Sequence, residues 1–220
     1  MKFKLTLILI LIPLLFAKVQ AQDSLFFNRI HIFEHQECQH PIGTVFTDRV
    51  FYGNNTDPSI FMNFNNTKAD TIGVDLVKYG QYTAYNQFLK DKFLDANAII
   101  LGFRLPVLSQ AESIKEARSH FKMDKVKDTM VDEKTLKHIR IIPKDTLVHN
   151  FESYNILINT RTKTEFPLYT APTVHYLLKG TLKELRGTVV ETYFIDLEGY
   201  WYCRNVLTGL QITNKRVRVK

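Results

Sequence analysis

Cysteine, tryptophan, glycine and proline are all scarce in this sequence of 220 residues, which contains two Cys, one Trp, nine Gly and seven Pro. Two cysteines are too few for a small scaffold that depends on several disulfides. The low glycine and proline content excludes collagen-like and Pro/Gly-rich disordered chains. Because 45% of the residues are hydrophobic and 23% are charged, the composition is that of an ordinary folded protein.

Several motifs that indicate a catalytic function are also missing from the sequence. There is no G-x-G-x-x-G dinucleotide fingerprint and no G-x-x-x-x-G-K-S/T phosphate loop. There is no G-x-S-x-G nucleophile elbow and no C-x-x-C redox pair. These absences weaken an enzymatic interpretation without excluding it, so the sequence leaves open whether the protein is an enzyme.

The first 21 residues have the pattern of a secretory signal peptide. A basic start precedes a 13-residue apolar run, Leu5–Ala17, and Val19–Ala21 is a small-x-small cleavage site. The run is shorter than the about 20 residues that a membrane-spanning helix needs. We therefore expect cleavage after Ala21, a secreted or periplasmic location, and no transmembrane span in the mature chain.

The mature chain is expected to be residues 22–220, folded as one domain. The signal segment contains three lysines and no acidic residue, so the formal net charge falls from +7 to +4 without it. A mild positive charge on an exported protein does not favour a nucleic-acid partner. A protein, a glycan or a small molecule remains as the expected ligand.

The pattern of apolar residues predicts an α+β fold. In the middle of the chain, Tyr85, Leu89 and Phe93 recur at i, i+4 and i+8, and Ser109 and Glu112 form a capping box before a second helical pattern. The last third indicates antiparallel sheet. Its predicted strands are 139–142, 154–159, 174–178, 188–195 and 200–207. We expect a mostly antiparallel sheet in the C-terminal half, with two or three helices from the middle packed on one face.

The two cysteines, Cys38 and Cys203, lie far apart in the sequence. Export permits a disulfide between them. The closed loop of 165 residues would stabilise the fold by up to about 5 kcal/mol in the chain-entropy model. The alternatives are two buried thiols, or a role for Cys38 as a metal ligand.

Three histidines, His31, His35 and His40, cluster at the start of the mature chain. If the segment 23–38 is a helix, His31, His35 and Cys38 share one face and can bind a metal, for which zinc is the natural candidate. If the segment is a strand, the two histidines lie about 13 Å apart and cannot share one ion. The sequence pattern fits both structures equally well.

The residues His31-Ile32-Phe33-Glu34-His35 also form an H-x-x-E-H motif, which resembles that of the inverzincin metallopeptidases. The resemblance implies that His31 and His35 bind zinc and that Glu34 is the general base. It further implies a third ligand from a downstream helix, a position that Glu112 would fill. The resemblance is confined to these residues, and zinc is the one cofactor that the sequence suggests.

A cluster of aromatic residues flanks the predicted hairpin between residues 188 and 207. Tyr200, Trp201 and Tyr202 are adjacent, and cross-strand packing within the sheet accounts for such a cluster. The alternative is an exposed aromatic platform for a sugar or protein. From export and the missing catalytic motifs, we expect a non-catalytic binding or envelope-associated module. A zinc-dependent hydrolase that uses the H-x-x-E-H motif is the alternative.

Overall fold

The computed structural model describes residues 23–38, 44–53, 57–66, 69–107, 109–131, 133–162, 166–179 and 185–220. The predicted signal segment and its cleavage site lie outside these residues. None of the helices in the described part is both long and apolar enough to span a membrane.

The described residues form thirteen strands and four short helices. The strands are β1 (Asp23–Cys38), β2 (Thr44–Gly53), β3 (Ile60–Asn66), β4 (Thr71–Lys78), β5 (Tyr82–Leu89), β6 (Ala98–Leu101), β7 (Phe103–Pro106), β8 (Phe121–Lys125), β9 (Thr129–Val131), β10 (Lys134–Pro143), β11 (Ser153–Asn159), β12 (Thr188–Ile195) and β13 (Trp201–Val219). The helices are α1 (Lys90–Asp95), α2 (Gln110–His120), α3 (Thr146–His149) and α4 (Pro172–Leu178).

One sheet contains these strands, in the order β7-β5-β4-β3-β2-β1-β13-β12-β11-β10-β8. Neighbours along this path are antiparallel, β9 pairs with β10, and β6 lies parallel to β13. The central strands β1 and β13 are the longest, at 16 and 19 residues. Only Gly102 separates β6 from β7, and the two strands join β13 to β5. The sheet therefore closes on itself at this end.

The predicted α+β fold class is wrong. Antiparallel strands run through both halves of the chain, with 58% strand and 17% helix, and the helices in the described part are few and short. The helical pattern of Tyr85 and Leu89 lies in strand β5, where both side chains are exposed. A spacing of four residues is also an even number, so it keeps two side chains on one face of a strand as well as of a helix.

The opposite error occurs at residues 174–178, which are part of helix α4 rather than a strand. All five side chains of this run are buried. A short run of apolar residues that is buried on all sides does not distinguish a strand from a helix. Pro172, whose fixed φ suits the first turn of a helix, is the local signal that favoured the helix.

Two local predictions are confirmed. Helix α2 begins with the Ser109–Glu112 capping box, in which each side chain bonds to the other residue's backbone N–H. The hairpin between β12 and β13 is present as well. Its turn is held by the Asp196 carboxylate, which accepts hydrogen bonds from the backbone N–H groups of Glu198 and Tyr200, and by Gly199 at a φ of +89°.

Two hydrophobic cores share the sheet. One lies at the closed end and includes Phe27, Met62 and Phe93. The other lies against β10, β11 and α4 and includes Phe61 and Ile156. Because Phe61 and Met62 are neighbours on β3 and point to opposite faces, both faces of this strand are covered. The prediction of one domain for residues 22–220 stays a prediction.

Candidate functional site

A large cavity lies between the sheet, α2 and α4, and its volume is about 630 Å³. This volume lies within the range of small-molecule binding sites in proteins. Strands β3, β4 and β5 form one wall. The inner side of α2 forms another, and the chain from Thr170 to Tyr176 closes it.

Apolar and aromatic side chains dominate the cavity wall. Phe61 and Val77 come from the sheet, Ala117 comes from α2, and Tyr176 comes from α4. Tyr79 packs against Phe61 with a ring separation of 5.5 Å and against Tyr176 at 5.7 Å. Such a wall gains free energy by removing apolar ligand surface from water.

The Tyr79 hydroxyl is satisfied within the protein. It donates a hydrogen bond of 3.0 Å to the backbone carbonyl of Tyr169, and burial raises the pKa of Tyr79 well above its usual value. The phenol is therefore neutral at physiological pH. This hydrogen bond holds the Tyr79 ring in one orientation against the cavity wall.

Polar side chains line the cavity at its α2 end, and Lys78 and Thr83 add polar groups on the sheet wall. Ser113, Glu116 and His120 project from α2, and His149 ends α3 beside them. The His149 ring packs on Phe121 at 4.5 Å and edge-to-face on His120 at 5.5 Å. A mainly apolar cavity with a few polar groups favours a ligand with a long apolar part and a polar end.

His175 lies behind the cavity wall and is only 2% exposed. Its ring stacks on Tyr79 at 4.4 Å and packs edge-to-face on Tyr176 at 5.4 Å. Neither ring nitrogen has a hydrogen-bond partner among the described residues. Burial, assisted by the charge of Lys179, lowers the pKa of His175 to about 4. The imidazole is therefore neutral and supports the aromatic wall.

The structure does not bring the predicted zinc ligands together. The segment 23–38 is strand β1, so His31 and His35 point to the same face about 13 Å apart. The two ring nitrogens of His35 lie 2.8 Å from Asn205 Oδ1 and 2.9 Å from Glu37 Oε1. Both nitrogens are thus engaged within the protein.

The two predicted glutamates have other roles. Strand alternation places Glu34 on the face of β1 opposite to His35, where its carboxylate accepts a hydrogen bond from Gln36. Glu112 caps α2, and its hydrogen bonds with Ser109 lower the pKa of this exposed carboxyl group. Among the described residues, no group of three His, Cys, Asp or Glu side chains is placed to bind a metal. The zinc hydrolase interpretation therefore has no support.

The cysteines lie on neighbouring strands. Glu37 is directly opposite Cys203 in the β1–β13 pairing, and Cys38 is the next residue along β1. The Cys203 sulfur lies 4.0 Å from His35 Nδ1. Nothing among the described side chains supports the predicted disulfide, and the Cys38 side chain lies outside them. The disulfide and the metal role of Cys38 stay predictions.

The three aromatic residues predicted as a platform separate in the structure. Tyr202 packs on Phe194 at 5.4 Å, and burial raises the pKa of Tyr202. Tyr200 is 55% exposed beside the turn. Trp201 lines a groove on the outer face of the sheet, together with Tyr193. The three residues therefore do not form one surface.

Sequence reasoning missed the residues of the large cavity. The run Ile60–Phe64 has the apolar residues of a strand, but nothing in it shows which face borders an open space. The apolar positions on both faces of β3 were the available signal, because they indicate a strand that is covered on both sides. The cavity itself arises where β3, α2 and α4 meet.

No protein-family model and no curated protein matches the sequence. Among solved structures, a chain of the Pseudomonas aeruginosa MucA/MucB complex is similar at 9% identity and a TM-score of 0.42, over 86% of this chain and 52% of that one. A putative outer membrane lipoprotein-sorting protein domain from Vibrio parahaemolyticus has 9% identity and a TM-score of 0.34, over 85% and 86%. A LolA superfamily protein from Nitrosomonas europaea has 7% identity and a TM-score of 0.30, over 91% and 87%.

The protein spans about half the length of the chain that it matches in the MucA/MucB structure. At such identities and TM-scores, the ligand has to be inferred from this chain's own residues.

Proposed function

We propose that this protein is an exported, non-catalytic binding protein that takes the apolar part of an elongated small molecule into the cavity between the sheet, α2 and α4. The observation that carries the proposal is the combination of a volume of about 630 Å³ with a largely apolar and aromatic wall. The predicted signal segment 1–21 supports the export.

The arrangement of the wall supports one orientation of the ligand. An alkyl or ring system would lie against Phe61, Val77 and Tyr79, where burial of apolar surface contributes roughly 25 cal/mol per Å². The polar end would lie near Glu116 and His120, which are exposed to solvent. A ligand in this orientation leaves none of its polar groups buried among apolar side chains, which would be costly.

Binding of N-phenyl-1-naphthylamine, an uncharged apolar fluorophore, tests the proposal. We expect saturable binding and displacement of the fluorophore by hexadecanol, whose chain is long and apolar. Thr83→Phe and Thr173→Phe place a bulky ring at two separate points of the cavity wall. Each is expected to weaken binding about tenfold or more, because the ring occupies space that the ligand needs.

Thr135→Phe is the matched control, because Thr135 is exposed on β10 and does not line the cavity. Its affinity for the fluorophore should equal that of the unmodified protein. Thermal unfolding of all three variants shows whether each one is folded. Equal affinities in folded Thr83→Phe, Thr173→Phe and Thr135→Phe proteins would mean that the fluorophore binds elsewhere, and the proposal would fail.

A further inference from the structure

A second recess lies on the other face of the sheet, away from the large cavity. Strand pairing shows this directly: Tyr154 is opposite Phe194 on the face of the buried core, whereas the next residues along, Asn155 and Tyr193, face the other way. Residues of β9 to β13 line the recess, whose volume is about 330 Å³. We call it the outer groove.

Two large aromatic side chains line the outer groove, beside the imidazole of His138. Trp201 begins β13 and Tyr193 lies on β12, and both side chains are half-buried. Half-burial means that each ring is held by its neighbours and still presents surface to solvent. Trp and Tyr are the side chains that combine a large apolar face with a polar tip, which suits ligands that have both kinds of surface.

A fixed ion pair lies beside these rings. Arg204 Nε donates to Glu191 Oε1 at 2.7 Å, and the Glu191 side chain is only 14% exposed. The contact uses one of the five N–H donors of the guanidinium group and one of the two carboxylate oxygens. The pair therefore offers donors and acceptors in a preorganised arrangement, while its net charge is zero.

The combination narrows the class of ligand. An anion would be attracted by Arg204 and repelled by Glu191, and a cation the reverse. Because the two charges are adjacent, these effects largely cancel, and a charged ligand gains little net Coulomb energy to offset the loss of its own hydration. A wholly apolar ligand would cover this pair without replacing its hydrogen bonds to water, which is unfavourable. A neutral ring that carries hydroxyl groups on its edge and C–H groups on its faces meets all these requirements.

We infer that the outer groove is a carbohydrate-binding site for a neutral sugar unit of a glycan. The sugar ring lies against Trp201 or Tyr193, and its hydroxyl groups bond to Arg204 and Glu191. The site is independent of the apolar cavity, because the two recesses share no lining residue and lie on opposite faces of the sheet.

The single tryptophan of the chain makes this site directly observable. Maltotriose and triacetylchitotriose are neutral trisaccharide probes, and trigalacturonate and unacetylated chitotriose are their anionic and cationic counterparts. We expect at least one neutral probe to change Trp201 fluorescence saturably, with the same dissociation constant by calorimetry. Both charged probes should bind at least about tenfold more weakly, since each loses hydration and gains little net attraction from an ion pair whose charges cancel.

Variants separate the groove from the rest of the surface. Trp201→Ala and Glu191→Gln should each weaken calorimetric binding of the neutral probe about tenfold or more, because central aromatic and buried charged groups dominate such sites. Tyr200→Ala is the control, since Tyr200 is an exposed neighbouring aromatic residue outside the groove. It should change the affinity less than twofold.

Glu191→Gln keeps the size of the side chain, so it guards against a Trp201→Ala protein that fails to fold. The inference is overturned if no neutral probe binds saturably at millimolar concentration, or if a charged probe binds more tightly than both neutral ones. It is also overturned if folded Glu191→Gln and Tyr200→Ala proteins bind the neutral probe equally well. Fluorophore binding in the apolar cavity is measured separately, so either proposal can fail alone.

Discussion

Replacement of the buried His175 by Phe should make the stability of the protein less dependent on pH. His175 is 2% exposed, it stacks on Tyr79, and its pKa in the folded protein is about 4. The unfolded chain restores the ordinary value of about 6.5. Among charged groups, Lys179 lowers the pKa of His175 further and Asp57 raises it, but burial is the largest cause.

The sign and size of the effect follow from these two values. Between pH 6.5 and 4 the unfolded state binds more protons at this residue than the folded state, so stability falls as the pH falls. The full difference of about 2.5 pKa units corresponds to about 3 kcal/mol. Between pH 7 and pH 4.5, the loss that His175 causes is about 2 kcal/mol.

Urea unfolding at pH 7, 6, 5 and 4.5 measures this loss. The difference in free energy of unfolding between His175→Phe and the unmodified protein cancels most other titrating groups. It should shift by about 2 kcal/mol in favour of the variant as the pH falls from 7 to 4.5. The Phe side chain also keeps the aromatic contact with Tyr79 and buries no polar nitrogen.

His175→Gln separates titration from packing. Gln does not titrate, so this variant should show the same pH-dependent shift as His175→Phe. At pH 7 it should be less stable than the Phe variant, because it buries an amide without a hydrogen-bond partner. A free-energy difference that stays constant from pH 7 to 4.5 in both variants would refute the reasoning, since it would show an ordinary pKa for His175 in the folded protein.

Three further outcomes are expected. Lys215 is buried with its Nζ bonded to the Phe93 carbonyl, and burial lowers its pKa, so the unmodified protein gains stability as the pH rises towards 10.5. In urea unfolding, the free energy of unfolding of Lys215→Met relative to that of the unmodified protein should therefore be highest near pH 7 and lower at pH 10. An equal difference at both pH values would contradict this account. Ser109→Ala should cost about 1 kcal/mol, because it removes the capping box of α2; an unchanged unfolding midpoint would show that the cap is not needed. If Cys38 and Cys203 pair, the denatured mass of protein from an oxidising compartment is two hydrogens short, and a full mass excludes the disulfide.

Features that depend on a few neighbouring residues were predicted correctly from the sequence. The capping box at Ser109 and the turn at Asp196–Gly199 are held by hydrogen bonds within four residues. Such hydrogen bonds need no partner from a distant part of the chain. Their residue types are therefore reliable signals, and the helix and hairpin that they border are present.

Periodicity alone misled the prediction where helix and strand patterns coincide. Residues spaced by four share a face in both structures, so Tyr85 and Leu89 fitted a helix and lie in a strand. His31 and His35 have the same spacing, and the zinc hypothesis depended on the same choice. The segment 23–38 is a strand because it pairs with β2 and β13. β2 follows β1 in the sequence, whereas β13 comes from the other end of the chain.

The candidate sites were the least predictable part of the molecule. Trp201 was recognised as a residue of interest, but its relevant neighbours are Tyr193 and Arg204 rather than the adjacent tyrosines. Alternation along a strand sends adjacent side chains to opposite faces. Cross-strand register, which a single sequence does not reveal, therefore selected the members of the outer groove.

The sequence by itself determined the helix cap, the hairpin turn, the apolar character of most strands and a signal-like N-terminal segment, because each of these depends on local chemistry. The tertiary structure decided that β1 is a strand, that the predicted zinc ligands stay apart, and that two recesses open on opposite faces of one sheet. These features depend on contacts between residues that are distant in the chain, such as the pairing of the first and last strands, β1 and β13.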